Sequence, residues 1–169
     1  MRHGWEQDYV DFVRARQASW HRQAFMLTGD GHRADDLVQQ TCVDLFVYWR
    51  RVMAAADPER YVRAMLVRTF LNERRRGWAR RVRLTDAVPD RPATDSTIDS
   101  ASEERPALHA ALLQVPPRQR AVLVLRYLYD MSVAEVADLV GCSPGTVKSQ
   151  AFHGLATLRR LLGDAAFIE

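Results

Sequence analysis

The feature that most constrains this chain is a stretch between Val82 and Pro106 in which the apolar pattern stops. The stretch is rich in Pro, Asp, Ser and Thr and poor in large apolar residues. Such a segment cannot bury enough apolar surface to offset the entropy lost on ordering it. It predicts a flexible acidic linker over residues 83–105, which divides the chain into a first lobe, 1–82, and a second lobe, 106–169.

Charge is distributed unevenly around this linker, although the formal net charge is only +3. A dense cluster precedes it, made of Arg74, Arg75, Arg76, Arg80, Arg81 and Arg83. A run of carboxylates follows, made of Asp86, Asp90, Asp95, Asp99, Glu103 and Glu104. Basic charge concentrated beside an acidic stretch is typical of proteins that bind nucleic acid.

The first lobe has helical spacing of its apolar residues throughout. A first helix is expected to end at Thr28-Gly29-Asp30-Gly31, where two glycines allow a turn. A second runs from Ala34 to Val52, with apolar or small residues at i, i+3, i+4 and i+7. A third begins at Asp57-Pro58, a cap followed by the proline that suits a first helical position. The lobe is therefore predicted to be all-α, with three or four helices.

The second predicted helix has another face, opposite its apolar stripe, that carries Asp36, Gln40, Val43 and Val47. Valines are commonly exposed singly on protein surfaces, so the spacing alone favours an ordinary solvated face. The alternative is a docking surface for a protein partner.

The second lobe contains the spacing of a helix-turn-helix. Ser132 and Glu135 form a capping-box pattern at the start of a helix that is expected to stop at Gly141. Ser143-Pro144 then caps a second helix. Ala137 allows the two helices to cross closely, and Gly141 permits a left-handed turn. These signals favour a helix-turn-helix over a generic helical hairpin.

The second helix of such a unit enters the DNA major groove, with its N-terminal half against the base edges. The polar candidates there are Thr146, Lys148, Ser149, Gln150 and His153. Phe152 is placed to touch a thymine methyl group. Arg118, Arg120 and Arg126, on a helix predicted over residues 117–129, are candidates for phosphate contact. For each residue singly, the alternative is a solvated helix face.

The residue types argue against a metal site, a cofactor and catalysis. Cys42 and Cys142 lie in separate apolar helical patterns, which predicts buried thiols, and the five histidines are scattered. The adjacent Asp35 and Asp36 do not face each other on a helix, and no glycine-rich phosphate loop is present. We therefore expect no enzyme activity, no cofactor and no small-molecule substrate. With no signal core or spanning segment, we expect a cytoplasmic protein without a membrane partner.

Nearly the whole chain resembles the extracytoplasmic-function sigma factors, the smallest group of the sigma-70 family, and especially their actinobacterial SigE-like branch. The segment Ala34-Asp-Asp-Leu-Val-Gln-Gln-Thr41 resembles the family's A-E-D-L-V-Q-E-T motif. The resemblance implies an alternative sigma factor with regions 2 and 4 as its lobes, bound to core RNA polymerase at the β′ clamp helices and the β flap. It implies docking through Asp36, Gln39, Gln40 and Val43, which favours the docking interpretation of the outer face.

The segment from Pro58 to Arg76 resembles the part of region 2 that recognises and melts the promoter −10 element. The resemblance implies that the loop around residues 53–59 holds a flipped non-template base and that the next helix grips the separated strand. Flipped bases are bound in pockets, and aromatic and arginine side chains suit single strands. The residues implied are Tyr61, Arg63, Arg68, Asn72, Arg74, Arg75 and Arg76.

Residues 116–132 and 145–149 resemble the unit of region 4 that recognises the −35 element. The resemblance implies base or phosphate contacts from Arg126, Lys148, Ser149, Phe152 and His153. The chain departs from residues common in the family at Gln40, Cys42, Gln150 and His153. The last two replace residues that are often Arg, so modest −35 affinity is expected.

A stand-alone helix-turn-helix activator or repressor is the alternative function. Such proteins usually dimerise so that two recognition helices meet half-sites one turn apart, and the chain has no long heptad seam. Under the sigma-factor interpretation, promoter DNA is the second partner, and an anti-sigma factor is an open third. We also hypothesise that the linker's carboxylates discourage binding to free DNA, or occupy the polymerase channel from which the transcript emerges.

Overall fold

The computed structural model describes the backbone of residues 3–83 and 105–163, and the side chains of residues 4–73 and 106–163. Within these ranges all regular secondary structure is helical, which confirms the predicted all-α fold.

The chain divides into two compact units, unit 1 (Met1–Ala93) and unit 2 (Thr94–Glu169). The division falls inside the predicted linker. Residues 84–104, which carry the acidic run, lie outside the described residues. The limits of the two lobes and the character of the linker therefore stay predictions.

Unit 1 contains α1 (His3–Thr28), α2 (Gly31–Val47), α3 (Trp49–Met53) and α4 (Pro58–Arg83). Its core holds apolar side chains from all four helices, the largest being Trp20, Leu27, Leu37, Leu45, Val52, Leu66 and Phe70. The predicted helix boundaries at Gly29 and Asp57 are confirmed. Gly29 has φ +69°, which glycine adopts without strain. Asp57 caps α4 by accepting a 3.0 Å hydrogen bond from the Arg60 amide.

The second predicted helix is interrupted, contrary to expectation. α2 ends at Val47, and Tyr48 leaves helical geometry with φ −101° and ψ 16° before α3 begins. Trp49 and Val52 remain buried because α3 turns them back onto the core. The apolar spacing Leu45, Trp49, Val52 is the same with or without one non-helical residue, so the pattern could not reveal the break.

Unit 2 contains α5 (Arg105–Gln114), α6 (Pro117–Leu123), a π-helical turn (Val124–Leu128), α7 (Val133–Val140) and α8 (Pro144–Leu162). The predicted helix-turn-helix signals are confirmed. Ser132 and Glu135 form a reciprocal capping box at α7, and Gly141 adopts φ +75°. Ser143 caps α8 by accepting from the Thr146 amide at 3.1 Å.

The predicted helix over residues 117–129 changes register near its end. The Tyr129 amide donates to the Val124 carbonyl at 3.2 Å, five residues back, and the Met131 amide donates to the Leu125 carbonyl at 3.1 Å. Asp130 then takes φ +48°, a left-handed conformation that Asp tolerates better than most residues. The extra residue in this turn shifts the direction of the side chains at 126–128, and π-turns are frequent at functional sites.

Arg120 corrects one expectation from the sequence. It was a candidate for phosphate contact, but its side chain is only 5% exposed. Its guanidinium donates to the carbonyls of Leu112, Leu113 and Val115 at 3.0, 2.9 and 2.9 Å. These carbonyls end α5, where backbone acceptors lack helical partners and a cation is favourable. Arg120 therefore joins α5 to α6 and is not available to DNA.

We expect Arg120→Met to destabilise unit 2 by about 3 kcal/mol, because buried carbonyls lose charged donors. Hydrogen exchange of the α5 and α6 amides measures this directly. All four tryptophans, Trp5, Trp20, Trp49 and Trp78, lie in unit 1, so their fluorescence transition should not move. The matched control is Arg118→Met, which removes one long contact of 3.4 Å to the Val140 carbonyl. Equal protection in both variants would contradict the assignment.

Candidate nucleic-acid interface

The orientation of α8 is fixed by its buried face, which carries Val147, Ala151, Gly154 and Leu158 at helical spacing. Gly154 permits a close approach to α6. A Cβ atom added there would lie 2.8 Å from Leu123 Cδ1 and 3.1 Å from its Cγ, so a side chain does not fit without displacement. This packing turns the opposite face of α8 to solvent.

The outward face of α8 brings four predicted residues together: Lys148, Ser149, Phe152 and His153 are all exposed. Phe152 is 68% exposed, which is unusual for a large apolar side chain in a folded unit. Its ring meets the His153 ring edge-on, with centroids 5.6 Å apart. This face offers hydrogen-bond donors and an apolar ring within two helical turns.

A shallow groove of about 250 Å³ runs beside this face. Its lining includes Arg126, Tyr127, Lys148, Phe152 and Leu155. Arg126 donates to the Met131 carbonyl, which holds the guanidinium beside the π-helical turn. The structure thus joins Arg126 to the predicted residues of α8, although 22 positions separate it from Lys148 in the chain.

Tyr127 is a residue of this groove that the sequence reasoning missed. It is 54% exposed and lies beside Arg126, whose guanidinium carbon is 5.8 Å from the centre of its ring. The position of Tyr127 depends on the π-helical turn, which apolar spacing does not predict. The only sequence feature that could have indicated Tyr127 was its position next to Arg126, a predicted phosphate contact.

Three further predicted residues of unit 2 lie in other settings. Thr146 belongs to the cap of α8, with its hydroxyl 2.9 Å from that of Ser143. Gln150 is half-buried, and among the described residues its Oε1 has no hydrogen-bond partner. Arg118 is half-buried, and its contact with the Val140 carbonyl leads toward the turn between α7 and α8.

The predicted polymerase-docking residues lie together on α2. Asp36, Gln39, Gln40 and Val43 are all exposed, on the face away from the buried Ala34, Leu37, Thr41 and Leu45. Gln40 donates to the Asp44 carboxylate at 3.0 Å. Toward the end of α2, Val43, Phe46, Val47 and Tyr48 are exposed by 56, 46, 66 and 52%. The sequence reasoning missed Phe46, whose ring lies against Trp5 and Tyr9 of α1, and Tyr48, which lies at the break after α2.

The predicted −10 residues of α4 divide into two groups. Tyr61 is half-buried, while Arg68 and Asn72 are exposed. At 3.6 residues per turn these three fall within about 40° of one another around the helix, whereas Arg63 lies about 160° from Tyr61. Arg63 faces α1 and pairs with Glu59 at 2.9 Å.

The other predicted −10 residues, Arg74, Arg75 and Arg76, continue the backbone of α4, and their side chains lie outside the described residues.

The cysteines are half-buried rather than fully buried. Burial raises the pKa of the Cys42 thiol, which favours its neutral form. Among the described residues, no group of three or more His, Cys, Asp or Glu is arranged to hold a metal ion. Over the same part of the chain, no helix combines the length and apolarity required to cross a bilayer.

Comparison with known proteins identifies the family. The family model "Sigma-70, region 4" matches residues 105–158, which span α5 to most of α8. The chain is 36% identical to the RNA polymerase sigma-E factor of Streptomyces avermitilis, over 96% of this chain and 89% of that protein. It is 32% identical to the ECF RNA polymerase sigma factor SigL of Mycobacterium tuberculosis, over 85% and 82%. The chain belongs to the extracytoplasmic-function RNA polymerase sigma factors.

Solved structures of sigma factors share the fold. One is RpoE of Bartonella quintana, in complex with the anti-sigma factor NepR. Its match with this sigma factor has a TM-score of 0.75 at 21% identity and covers 94% of this chain and 98% of that chain. This likeness supports the fold, while the curated relatives confirm the sequence resemblance and show that the protein is an alternative sigma factor.

Proposed function

We propose that this sigma factor directs core RNA polymerase to promoters by docking through α2, opening the −10 element with α4 and binding the −35 element with α8. The observation that carries the −35 assignment is the exposed face of α8, where Lys148, Ser149, Phe152 and His153 adjoin the groove of Arg126. A helix-turn-helix presents its second helix to the major groove in this way. The role requires binding and positioning rather than catalysis, and it operates in the cytoplasm, where polymerase and chromosome meet.

The chemistry of the α8 face suits mixed recognition of bases and phosphates. Lys148 can donate to a guanine edge, and Ser149 to any base. Arg126 is half-buried and donates to the Met131 carbonyl from one nitrogen, so its other N–H groups are the proposed phosphate donors, with Tyr127 as an added hydroxyl donor. Phe152 supplies an apolar surface for the methyl group of thymine. Gln150 and Thr146 contribute less, since one is half-buried and the other belongs to the helix cap.

The proposed docking face of α2 carries both polar and apolar side chains, as protein interfaces do. Asp36, Gln39 and Gln40 provide charged and amide groups, and Val43 begins an exposed apolar patch. Exposed apolar clusters commonly mark binding surfaces. The partner assigned is the β′ clamp helices, while unit 2 contacts the β flap. The Bartonella RpoE complex makes an anti-sigma factor a reasonable further partner.

Two DNA-binding sites that are each weak can together hold a promoter when both units are bound to the same polymerase. Once polymerase binds both units, the second DNA contact becomes intramolecular and its effective concentration rises. The stripe formed by the half-buried Tyr61 and the exposed Arg68 and Asn72 then engages the separated −10 strand through stacking and charge.

The direct test is run-off transcription with core polymerase of Streptomyces coelicolor on pooled promoter fragments from a high-GC bacterium. We expect start sites that depend on this protein and share two spaced motifs. A dimer that binds duplex DNA alone and supports no start site would favour the activator or repressor instead.

Substitution of the docking face should separate polymerase binding from folding. Val43 is 56% exposed, so Val43→Glu places its charge in solvent and should leave the thermal midpoint unchanged. Burying that charge in the complex should weaken binding to core polymerase about tenfold or more, which a fluorescence titration measures. The matched control is Ala18→Glu on the exposed face of α1. Equal affinity of the two variants would remove α2 from the interface.

Recognition of thymine by Phe152 predicts a methyl-specific effect. Replacing each −35 thymine by uracil in turn removes only a methyl group, and one such replacement should weaken wild-type binding about fourfold, from ~0.8 kcal/mol per buried methyl. Phe152→Ala should bind the thymine-containing DNA less tightly than wild type, and its affinity should be the same for the uracil-containing DNA. The control Ser149→Ala keeps the sensitivity. If Phe152→Ala remained as sensitive as wild type, the contact would have to be assigned elsewhere.

A further inference from the structure

A polar seam joins α1 to the start of α4 in unit 1. The Glu59 carboxylate lies 2.6 Å from Arg16 Nε and 2.9 Å from Arg63 Nε, and so bridges one arginine from each helix. Arg63 also reaches the Ser19 hydroxyl at 3.4 Å. Gln23, only 4% exposed, donates to the Arg63 carbonyl at 3.2 Å. Arg16, Ser19 and Gln23 follow helical spacing on α1, so the seam runs along one stripe of that helix.

We infer that Glu59 is a positioning residue for promoter opening, and that Arg63 acts through this seam instead of contacting DNA. The inference rests on the proposed function, because it assigns a task within −10 recognition. It replaces the sequence-based assignment of Arg63 to the DNA strand. The family resemblance places Glu59 at the end of the flipped-base loop, but it implies no ion pair of Glu59 and no role for Arg16 or Ser19.

The location of Glu59 explains why the seam affects the site. Glu59 lies in the first turn of α4, two residues after Asp57 and the short loop 54–57. The proposed flipped-base pocket is formed around this loop, and the strand-binding stripe begins at Tyr61. The buried Val62, Leu66 and Phe70 already fix the rotation of α4, which keeps Arg68 and Asn72 outward. The seam therefore acts on the first turn of α4 and on the loop before it.

The packing of Arg16 fixes the other end of the seam. Its guanidinium carbon lies 3.8 Å from the centre of the Phe12 ring, and its NH1 group donates to the Phe12 carbonyl at 3.2 Å. Arg16, Glu59 and Arg63 are about one-third exposed on their side chains, so the pair strength is screened by solvent. Because solvent screens these ion pairs, they add little to the free energy of unfolding. Each side chain has several partners, however, so the seam still restrains the positions of Glu59 and Arg63.

Because Glu59 is negatively charged, a positioning role and a purely electrostatic role predict opposite changes in DNA affinity when it is neutralised. Neutralising an acidic group beside a DNA-binding surface strengthens DNA binding by simple electrostatics. A positioning role predicts the opposite, because Glu59→Gln releases Arg16 and Arg63 and lets the first turn of α4 and the loop before it shift. The two expectations differ in direction as well as in size.

The experiment uses holoenzyme made with Streptomyces coelicolor core polymerase and a promoter found by the run-off assay, with a preformed bubble over the −10 element. Glu59→Gln should weaken binding about tenfold, and Glu59→Gln with Arg63→Gln should be no weaker than either alone. Arg63→Lys should weaken binding as much as Arg63→Gln does, since a lysine keeps the charge but cannot contact Glu59 and Ser19 at the same time. Asp8→Asn, an exposed carboxylate of α1, is the matched control and should bind as wild type does.

Two readouts exclude a general loss of structure and a phosphate contact. An abasic site at the flipped-base position should abolish most of the difference between Glu59→Gln and wild type, whereas misfolding would reduce binding to both templates equally. The salt dependence of binding should keep its slope in Arg63→Gln and fall by about 0.7 in Arg68→Gln, the exposed strand contact.

Tighter or unchanged binding by Glu59→Gln would overturn the inference, and so would a reduced salt slope in Arg63→Gln or an equal loss on the abasic template. These outcomes differ from a failure of the proposed function, in which wild-type holoenzyme would open no promoter at all.

Discussion

The rotation of a helix about its own axis is the constraint on which this structure depends. Each residue advances an α-helix by about 100°, so a slip of one position would replace the whole exposed face. Under the proposed function, α2, α4 and α8 bind polymerase and DNA through faces that are each only three or four residues wide. What holds those helices in register therefore matters as much as the residues that touch the partners.

The two units meet this constraint by different means. In unit 2 the rotation of α8 is restrained sterically. Leu123 of α6 packs against Gly154, and a rotation of α8 would bring a larger residue against α6. The buried Arg120 then ties α5 to α6, against which α8 packs. In unit 1 the core fixes one side of α4, and the polar seam of Glu59 and Arg63 fixes another. A partly exposed polar restraint is weaker than close packing, so the first turn of α4 is held less firmly than α8.

Much of this architecture follows from local sequence signals, and the exceptions have specific physical causes. Caps at Asp57, Ser132 and Ser143 and the turn at Gly141 were predictable because each depends on neighbouring residues only. The break at Tyr48 and the π-helical turn were not, since both preserve the apolar spacing. The burial of Arg120 and the pairing of Arg63 depend on carbonyls and carboxylates elsewhere in the fold. The residue pattern therefore marked Arg120, and the family resemblance marked Arg63, as DNA contacts. The groove shared by Arg126 and Phe152 likewise exists only after folding.

The composition of α8 sets how the protein divides its binding energy. Lys148 is the single lysine of the chain, and the outer side of α8 near it carries the neutral Ser149 and Gln150. Fewer phosphate contacts weaken the sequence-independent part of DNA affinity and its dependence on salt. The contact proposed for Phe152, by contrast, is apolar and base-dependent. With that assignment, the −35 unit would give up affinity for bulk DNA while keeping discrimination between bases. Tethering by polymerase would then supply the missing affinity and restrict promoter binding to the assembled holoenzyme.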